Sequence, residues 1–522
     1  MTIETLRRAI TTHIRVLSYS AGSVFVIMWT LLRFFNQRTI FDLVSQQVIV
    51  QQWLHGTMTS AHMGITAYVP KMLLLYMPLD LLPGSPRLKL IALTVVINVA
   101  TFILLGIALE KILAEFKVKP TKLFYGALVW LGAIAGSVFW IEFTNSRNLE
   151  VAGGVFLLYM GLRFLREPTW KWGTGIAAFS GLLFFADMLQ LYMTALPLLG
   201  YAAVLSARRL YQWRVVLQLL MAVAGGFVVS KLLFLLSQHL LLLSFAEPHN
   251  AIASQLSQAW LLESGKGLVK SFVVVFEGGK DAGRLREYVN IALLAFILSG
   301  GVFAALKKRV SNKLFLLISI ILGVNIVVYV ASGQAVQADT SRYLIMTAPA
   351  VILIAALVQY HRMKRTYVLV GFAAVLIGNF VALGGALAQN WDTNFPKDAH
   401  LASVHTYMLA HPGATSYAST DTAISAQYLY RLPAKQLLPL GCLNGSLVKT
   451  HYSMDTAFAE TAKQSNTPVA LIFDTNVITN TPNVCTPASV MAQLGQPMGS
   501  ETTSDGSLVL LYPKAISLGT GE

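Results

Sequence analysis

Charged residues are scarce in this sequence. Asp, Glu, Lys and Arg make up only 12% of its 522 residues, about half of the share in a typical soluble domain. Hydrophobic residues make up 55%, and the mean hydropathy is +0.61. Apolar stretches recur along most of the chain, and each stretch of about 20 such residues can cross roughly 30 Å of hydrocarbon. The composition excludes an ordinary soluble domain and indicates an integral membrane protein.

The motifs of many soluble enzymes are absent as well. The sequence contains no G-x-x-x-x-G-K-S/T loop for phosphates, no G-x-G-x-x-G turn, no H-E-x-x-H pair and no C-x-x-C pair. Without a phosphate-binding loop, a pump driven by ATP hydrolysis loses its main support. A chemistry that needs no nucleotide remains compatible with the sequence.

Basic residues follow the pattern of a chain that crosses the membrane repeatedly. If the N-terminus is cytoplasmic, the six segments predicted on that side hold 20 of the 39 Lys and Arg residues. The net charge of +15 is therefore a topology signal and does not indicate a nucleic-acid partner. The eleven predicted spans are residues 16–35, 88–110, 123–141, 149–165, 173–187, 189–206, 215–245, 289–306, 314–331, 343–360 and 366–386.

An odd number of spans places the C-terminal part outside the cytoplasm. Both cysteines, Cys442 and Cys485, lie in this part, which favours one disulfide in an oxidising compartment over two buried thiols. We predict an α-helical polytopic membrane protein of the cell membrane. Its transmembrane domain covers residues 1–386, and an extracytoplasmic α/β domain covers residues 387–522.

Several elements are expected outside the spans. Short apolar runs predict strands, and segments that begin near Ser, Thr or Asp predict helices. Two large outer loops interrupt the spans, at 36–87 and 246–288. The strands are expected at 469–473 and 507–512, and the helices at 399–410, 421–430 and 455–464.

Ionisable residues at the outer ends of spans are the candidates for function, because a charge near hydrocarbon is costly. Asp42 follows the first span. Its carboxylate can accept a proton from a hydroxyl or bind a divalent cation. The alternative is a helix cap or a solvated loop acid.

The other candidates are mainly cations. Arg147 and Glu150 lie between the third and fourth spans, where a guanidinium suits phosphate and a carboxylate can share a metal. The alternative is an ion pair between them. Asp339 and Arg342 precede the tenth span, and Lys231 lies within the seventh. Extension of the Lys231 side chain to the lipid headgroups would explain that residue without any function.

Five short motifs occur in the outer segments of the chain: Phe41-Asp42, Trp53-Leu-His-Gly56, Tyr68-Val-Pro70, Asn145-Ser-Arg-Asn-Leu-Glu150 and Ser341-Arg-Tyr-Leu344. Together they resemble the C-type glycosyltransferase superfamily, and the resemblance covers roughly residues 16–386. Members are multi-span enzymes that use sugars carried on polyprenyl phosphates. Many have adjacent acidic residues in the first loop, whereas Leu43 follows Asp42 here, so a requirement for a divalent cation stays open.

The resemblance implies transfer of a sugar from a polyprenyl phosphate in the membrane to a glycan, lipid or protein acceptor on the extracytoplasmic side. Asp42 would be the catalytic base, and a single carboxylate implies inversion. Asp42 and Glu150 would hold Mg²⁺ or Mn²⁺ if a cation is used, and Asp187 is a weaker alternative. The substrate-binding residues would be Arg147, Glu150, Lys231, Asp339 and Arg342.

A multi-span transporter or lipid flippase is the main alternative. The same charges would then line a path for a substrate or an ion. Transporters commonly contain paired halves with corresponding broken helices, and the sequence has no evident internal repeat.

Overall fold

The computed structural model of the chain is mostly helical. The chain divides into a helical unit, 1–33, 94–233 and 249–390, and a second unit, 34–93, 234–248 and 391–522. The residues that the structure describes are 3–36, 50, 54, 60–63, 76–83, 86–134, 148–240, 243–245, 258–277, 284–306, 312–331, 344–358, 365–394, 406–411, 416–419, 436–437, 440–443, 446–449, 458–460, 468–473, 485–504 and 506–512.

Helices account for most of the first 394 residues. Residues Leu191–Ala195 form a π-helix. The helices are α1 (Ile3–Asn36), α2 (Met77–Asp80), α3 (Pro86–Glu115), α4 (Lys122–Ile134), α5 (Asn148–Arg166), α6 (Trp170–Ala186), α7 (Leu196–Ala207), α8 (Trp213–Leu240), α9 (Gln258–Glu277), α10 (Arg284–Leu306), α11 (Asn312–Ala331), α12 (Thr347–Leu357), α13 (Arg365–Asn394) and α14 (Pro487–Leu494).

Six of these helices are long and apolar enough to cross a membrane. The six segments lie in α1, α3, α8, α10, α11 and α13, and they are His13–Leu32, Ile91–Glu115, Trp213–Leu240, Glu287–Ala304, Asn312–Ala331 and Gly371–Gln389. Shorter apolar helices cover Lys122–Ile134, Leu191–Ala207 and Thr347–Leu357. The molecule is therefore a helical protein with six candidate membrane spans.

Each predicted span overlaps a helix, but the boundaries of two spans were wrong. The tenth span was predicted over residues 343–360, whereas α12 covers Thr347–Leu357 and Val358 is extended. The seventh span was predicted to continue to residue 245, whereas α8 ends at Leu240 and Leu243–Phe245 form a strand. The apolar run continues through this strand, so hydropathy alone does not reveal where the helix ends.

Glycines allow close approach between helices of the helical unit. A Cβ atom at Gly132 would come within 2.9 Å of the carbonyl oxygen of Gly22, so α1 and α4 cross with their backbones nearly in contact. A Cβ at Gly226 would overlap Ser180, so α8 lies tightly against α6. Close packing through small residues is typical of helices in membranes, where burial of apolar surface does not drive association.

Buried amide side chains connect the helices further. Trp130 of α4 donates its indole N–H to Asn290 Oδ1 of α10 at 3.0 Å, and Asn379 Nδ2 of α13 lies 3.3 Å from the same oxygen. Asn98 of α3 donates to Thr30 Oγ1 of α1 at 3.0 Å. These bonds satisfy polar groups where water is scarce.

Among its described residues, the second unit contains three sheets. The strands are β1 (Ser60–Met63), β2 (Leu243–Phe245), β3 (Ser416–Ser419), β4 (Gln436–Leu437), β5 (Leu440–Leu443), β6 (Ser446–Lys449), β7 (Phe458–Glu460), β8 (Val469–Phe473), β9 (Gly499–Thr502) and β10 (Leu508–Tyr512). The largest sheet has the strand order β4-β3-β8-β10-β9. In it, β3 pairs in parallel with both of its neighbours, and β10 pairs antiparallel with both of its neighbours.

A three-stranded sheet joins segments that are far apart in sequence. Strand β1 pairs in parallel with β2, through Ala61 opposite Leu243, and antiparallel with β7, through Ala61 opposite Ala459. One strand comes from the loop after α1, one from the segment after α8 and one from the C-terminal part. Backbone hydrogen bonds therefore hold the three segments in one unit.

The predictions for the C-terminal part were partly confirmed. Strands form at Val469–Phe473 and Leu508–Tyr512, and residues 406–410 are helical. The helix predicted over 455–464 was wrong, because Phe458–Glu460 form β7. The helix predicted at 421–430 lies outside the described residues. Cys485 is disulfide-bonded, as predicted, and Cys442 is the other cysteine of the chain.

Candidate functional site

The structure describes two of the six predicted site residues. Glu150 lies in the first turn of α5, and Lys231 lies in the C-terminal half of α8. The predicted topology places that half nearer the extracytoplasmic side. Asp42, Arg147, Asp339 and Arg342 lie outside the described residues. The structure therefore leaves the predicted convergence of these charges as a prediction.

Glu150 is buried. Its residue exposure is only 3%, although it carries a carboxyl group and belongs to a helix of a membrane protein. A carboxylate in the first turn of a helix is favoured by the helix dipole and by the free backbone N–H groups there. Burial at a helix start therefore makes Glu150 the strongest described candidate for a functional carboxylate.

Lys231 has the opposite environment. It is exposed, together with Phe227, Val228 and Leu232 on the same face of α8. Its Nζ lies 5.4 Å from the centroid of the Phe227 ring, within the range of a cation–π contact. His239, eight residues later, is also exposed, as the helical period predicts. A cation on an apolar exposed face is suited to contact with lipid headgroups.

One turn after Glu150, α5 packs against the π-helix. A Cβ atom at Gly154 would lie 2.5 Å from both Gln190 Oε1 and Thr194 Oγ1. Gln190 and Thr194 are fully buried, and the Thr194 hydroxyl donates to Gln190 Oε1 at 2.9 Å. Glu150 and Gly154 are one helical turn apart and share a face. The buried carboxylate thus lies on the side of α5 that meets this polar pair.

Pro197 gives a physical reason for the π-helix. A proline has no backbone N–H, and its ring collides with the carbonyl four residues earlier in a regular helix. Here that carbonyl belongs to Met193, and the five residues Leu191–Ala195 are wound as a π-helix. A π turn is wider than an α turn, so it relieves this type of collision. Such π segments are rare and occur frequently at functional sites.

Asn325 of α11 supplies the hydrogen bond that Pro197 cannot. Its Nδ2 donates to the carbonyl of Met193 at 3.1 Å and to that of Ile321 at 2.8 Å. Asn325 is 2% exposed. Within the described part of the chain, its Oδ1 and Gln190 Nε2 are buried with no hydrogen-bond partner. The two amide groups therefore retain one unused acceptor and one unused donor group.

Asp187 has a local structural role. It ends α6, and its Oδ1 accepts the backbone N–H of Leu189 at 3.1 Å. The residue is 7% exposed. This contact orders the turn between α6 and the π-helix. A local structural role therefore explains why an acidic residue is buried at this position.

The predicted residues differ from those that the structure reveals. Gln190, Thr194 and Asn325 were not predicted, because uncharged polar residues within apolar spans carry a weak signal. Pro197 was the available clue, since a proline inside a predicted span marks a carbonyl that needs another donor.

The described residues contain no group of three or more His, Cys, Asp or Glu side chains that could hold a metal ion. The predicted cation ligands are Asp42, which lies outside these residues, and Glu150, which is buried. One described carboxylate is too small a ligand set for Mg²⁺, which takes six oxygen ligands and usually keeps several waters. Binding of a divalent cation therefore stays a prediction.

No protein-family model matches the chain, and no curated protein matches it.

Proposed function

We propose that the chain is a membrane glycosyltransferase resembling the C-type superfamily. It would move a sugar from a polyprenyl phosphate to an acceptor hydroxyl on the extracytoplasmic side. The six candidate membrane spans and the motifs around Asp42, Glu150 and Arg342 support this proposal. Because the donor is already activated, the reaction needs no nucleotide, which agrees with the missing nucleotide motifs.

The observation that most strongly supports the proposal is the sheet of β1, β2 and β7. Strand β1 belongs to the same predicted outer loop as Asp42, and β7 belongs to the C-terminal domain. A domain that selects the acceptor must be held in a fixed relation to the loop that activates it. The backbone pairing of these segments supports such a coupling between acceptor binding and the loop of the proposed base.

The proposed reaction is a single displacement. The acceptor hydroxyl oxygen attacks the anomeric carbon, the bond from that carbon to the phosphate oxygen breaks, and polyprenyl phosphate leaves with both bonding electrons. Asp42 takes the proton of the hydroxyl. Arg147 and Arg342 would stabilise the charge that develops on the phosphate, because fixed cations are most effective in a partly dry site.

Lys231 and Glu150 have roles that fit their environments. The exposed position of Lys231 on an apolar face supports contact with the phosphate of a donor that is still surrounded by lipid. The buried Glu150 would orient the acceptor or help to hold a cation. Asp339, three residues before Arg342, would also bind the substrate.

Asp42→Asn tests the proposal directly. In a purified assay with a synthetic polyprenyl phosphate sugar, loss of the base should lower the rate by about 10²- to 10⁴-fold. The matched control is Asp80→Asn, which removes a carboxylate of the same predicted loop and should leave transfer unchanged. Full activity of the Asp42 variant would remove the assignment of the base.

A lipid flippase or transporter is the second candidate, and the interrupted segment around Pro197 favours it. In transporters, the substrate site is often formed by interrupted helices, where polar groups that the helix does not pair are available to the substrate. Here Gln190 and Asn325 offer such groups. Proteoliposomes distinguish the two functions, because a flippase would move a labelled polyprenyl phosphate between leaflets in the absence of any acceptor.

A further inference from the structure

The ends of three helices meet at one end of the helical unit. Glu115, the last residue of α3, lies 3.5 Å from both Arg163 and Arg166 near the end of α5. Burial raises the pKa of Tyr211, in the turn between α7 and α8; the charge of Glu115 adds to this rise and Arg166 opposes it. The ring of Phe116, the residue after Glu115, packs edge-on against Tyr201 of α7, with the ring centroids 6.3 Å apart. The ends of α3, α5 and α7 therefore form one surface.

This surface has a large excess of exposed cations. Glu115 is already engaged with two arginines, and Glu167 pairs with Arg163 at 2.8 Å. Trp170 and Trp213 are 74% and 55% exposed beside these charges. Exposed tryptophans next to basic residues are typical of the boundary between membrane and water. The exposed cations are Lys117, Lys119, Lys171, Arg208, Arg209 and Arg214.

Two of these cations occupy a backbone conformation that side chains normally avoid. Lys117 and Arg209 both have φ 57°, and within the described ranges they are the two non-glycine residues with positive φ. Each lies two residues after the end of its helix, α3 or α7. Glycine is the usual residue at this type of cap, because a Cβ atom is disfavoured in the left-handed region.

The hydrogen bonds of the two caps are the same. The N–H of Val118 donates to the carbonyl of Leu113 at 2.9 Å, and the N–H of Leu210 donates to the carbonyl of Leu205 at 2.9 Å. A cation here is attracted by the helix dipole, but a glycine would satisfy the backbone without strain. A strained cation at both caps of one surface indicates that the side chains bind something outside the fold.

We propose that this surface binds the headgroups of anionic phospholipids, with Lys117 and Arg209 among the cations that contact the phosphate. The charge is complementary, and the neighbouring tryptophans are suited to the headgroup level of the same bilayer. The sequence also predicts these segments on the cytoplasmic side, where the leaflet is negatively charged. The proposal is independent of sugar transfer, which is assigned to the opposite side.

The test measures lipid binding to the full chain in detergent micelles. Dioleoylphosphatidylglycerol is the anionic probe, dioleoylphosphatidylcholine is the neutral comparison, and native mass spectrometry counts the bound lipids. Because each surface cation contributes about fivefold to the affinity, Lys117→Gly combined with Arg209→Gly should weaken phosphatidylglycerol binding about 25-fold. Binding of phosphatidylcholine should not change, and the variant should unfold at no lower temperature, since glycine suits both caps.

Two further variants make the result specific. Lys117→Arg combined with Arg209→Lys keeps both charges and should bind phosphatidylglycerol like the original chain. Lys266→Gln removes a lysine of α9 whose side chain is 76% exposed, and it should also bind normally. An unchanged affinity of the double glycine variant would overturn the proposal, and so would an equal loss in Lys266→Gln. The proposal would also be overturned if the double glycine variant lost phosphatidylcholine binding to the same extent as phosphatidylglycerol binding. A further contrary result would be that polyglutamate, an acidic peptide, binds this surface and phosphatidylglycerol cannot displace it.

Discussion

The hydrogen bond from Asn325 to Met193 makes a quantitative prediction about stability. Asn325→Ala removes the donor and leaves the Met193 carbonyl buried, while the Ile321 carbonyl keeps the N–H of residue 325 within α11. An orphaned buried group costs about 1–3 kcal/mol in soluble proteins, and hydrogen bonds between membrane helices reach at most about 1.7 kcal/mol. We therefore expect destabilisation of about 1–1.5 kcal/mol from the lost bond.

Pro197 determines whether that bond is needed. Pro197→Ala restores an N–H four residues after Met193, so the helix can satisfy the carbonyl by itself and the π-helix is no longer required. Asn325→Ala should then cost less in the Pro197→Ala background than in the original chain. The expected coupling between the two substitutions is about 1 kcal/mol, which exceeds the usual error of additivity, about 0.3–0.5 kcal/mol.

The assay is equilibrium unfolding of the purified chain in mixed micelles, followed by far-ultraviolet circular dichroism as the fraction of dodecyl sulfate increases. All four members of the double-mutant cycle are compared under one condition. Asn379→Ala is the matched control, because Asn379 is another buried asparagine but donates to Asn290 and to the carbonyl of Val375. Its effect should be additive with Pro197→Ala. Additive effects of Asn325→Ala and Pro197→Ala would refute this account of the π-helix.

Two further predictions concern packing and pH. Gly226→Ala should lower the unfolding free energy in detergent by about 1–3 kcal/mol through overpacking against Ser180. The control Gly225→Ala should be tolerated, because its Cβ would lie 3.5 Å from Ala177 Cβ. Equal effects of the two substitutions would contradict this packing. Burial, with a contribution from Glu501, raises the pKa of Tyr407, so its ionisation destabilises the fold as the pH rises above the unfolded value of about 10. Tyr407→Phe should therefore flatten the loss of stability above about pH 10, and an unchanged pH profile of unfolding would contradict this.

Local patterns predicted the elements that depend on local composition. The apolar runs of α3 and α11 are long enough to specify helices, and the runs at 469–473 and 507–512 specify buried strands that pair with each other. Burial on both faces makes a strand apolar along its whole length, as in β8, where all five residues are buried.

Elements stabilised by distant partners were not predictable in this way. Strands β1, β2 and β7 contain only three or four residues each, and Ala61 of β1 pairs with Leu243 and Ala459, which are 182 and 398 residues away in sequence. The π-helix needs Asn325, which is 132 residues from Met193. Glu150 was predicted from its charge and position, but its burial depends on packing that the sequence does not encode locally.

The sheet of β1, β2 and β7 also restricts how many helices cross the membrane. Its three strands must lie on one side, so an even number of crossings must separate each pair of strands. Between β2 and β7 lie three of the six candidate spans, in α10, α11 and α13, which is an odd number. We infer that a further helix crosses in this interval, and the shorter apolar helix α12, all of whose residues are buried, is the suitable one. Seven described helices, α2 to α8, separate β1 from β2, and α2 has only four residues, too few to cross. The remaining six are an even number, as are the two candidate spans among them, α3 and α8. The parity is therefore compatible with the proposed eleven spans, with α9 outside the membrane.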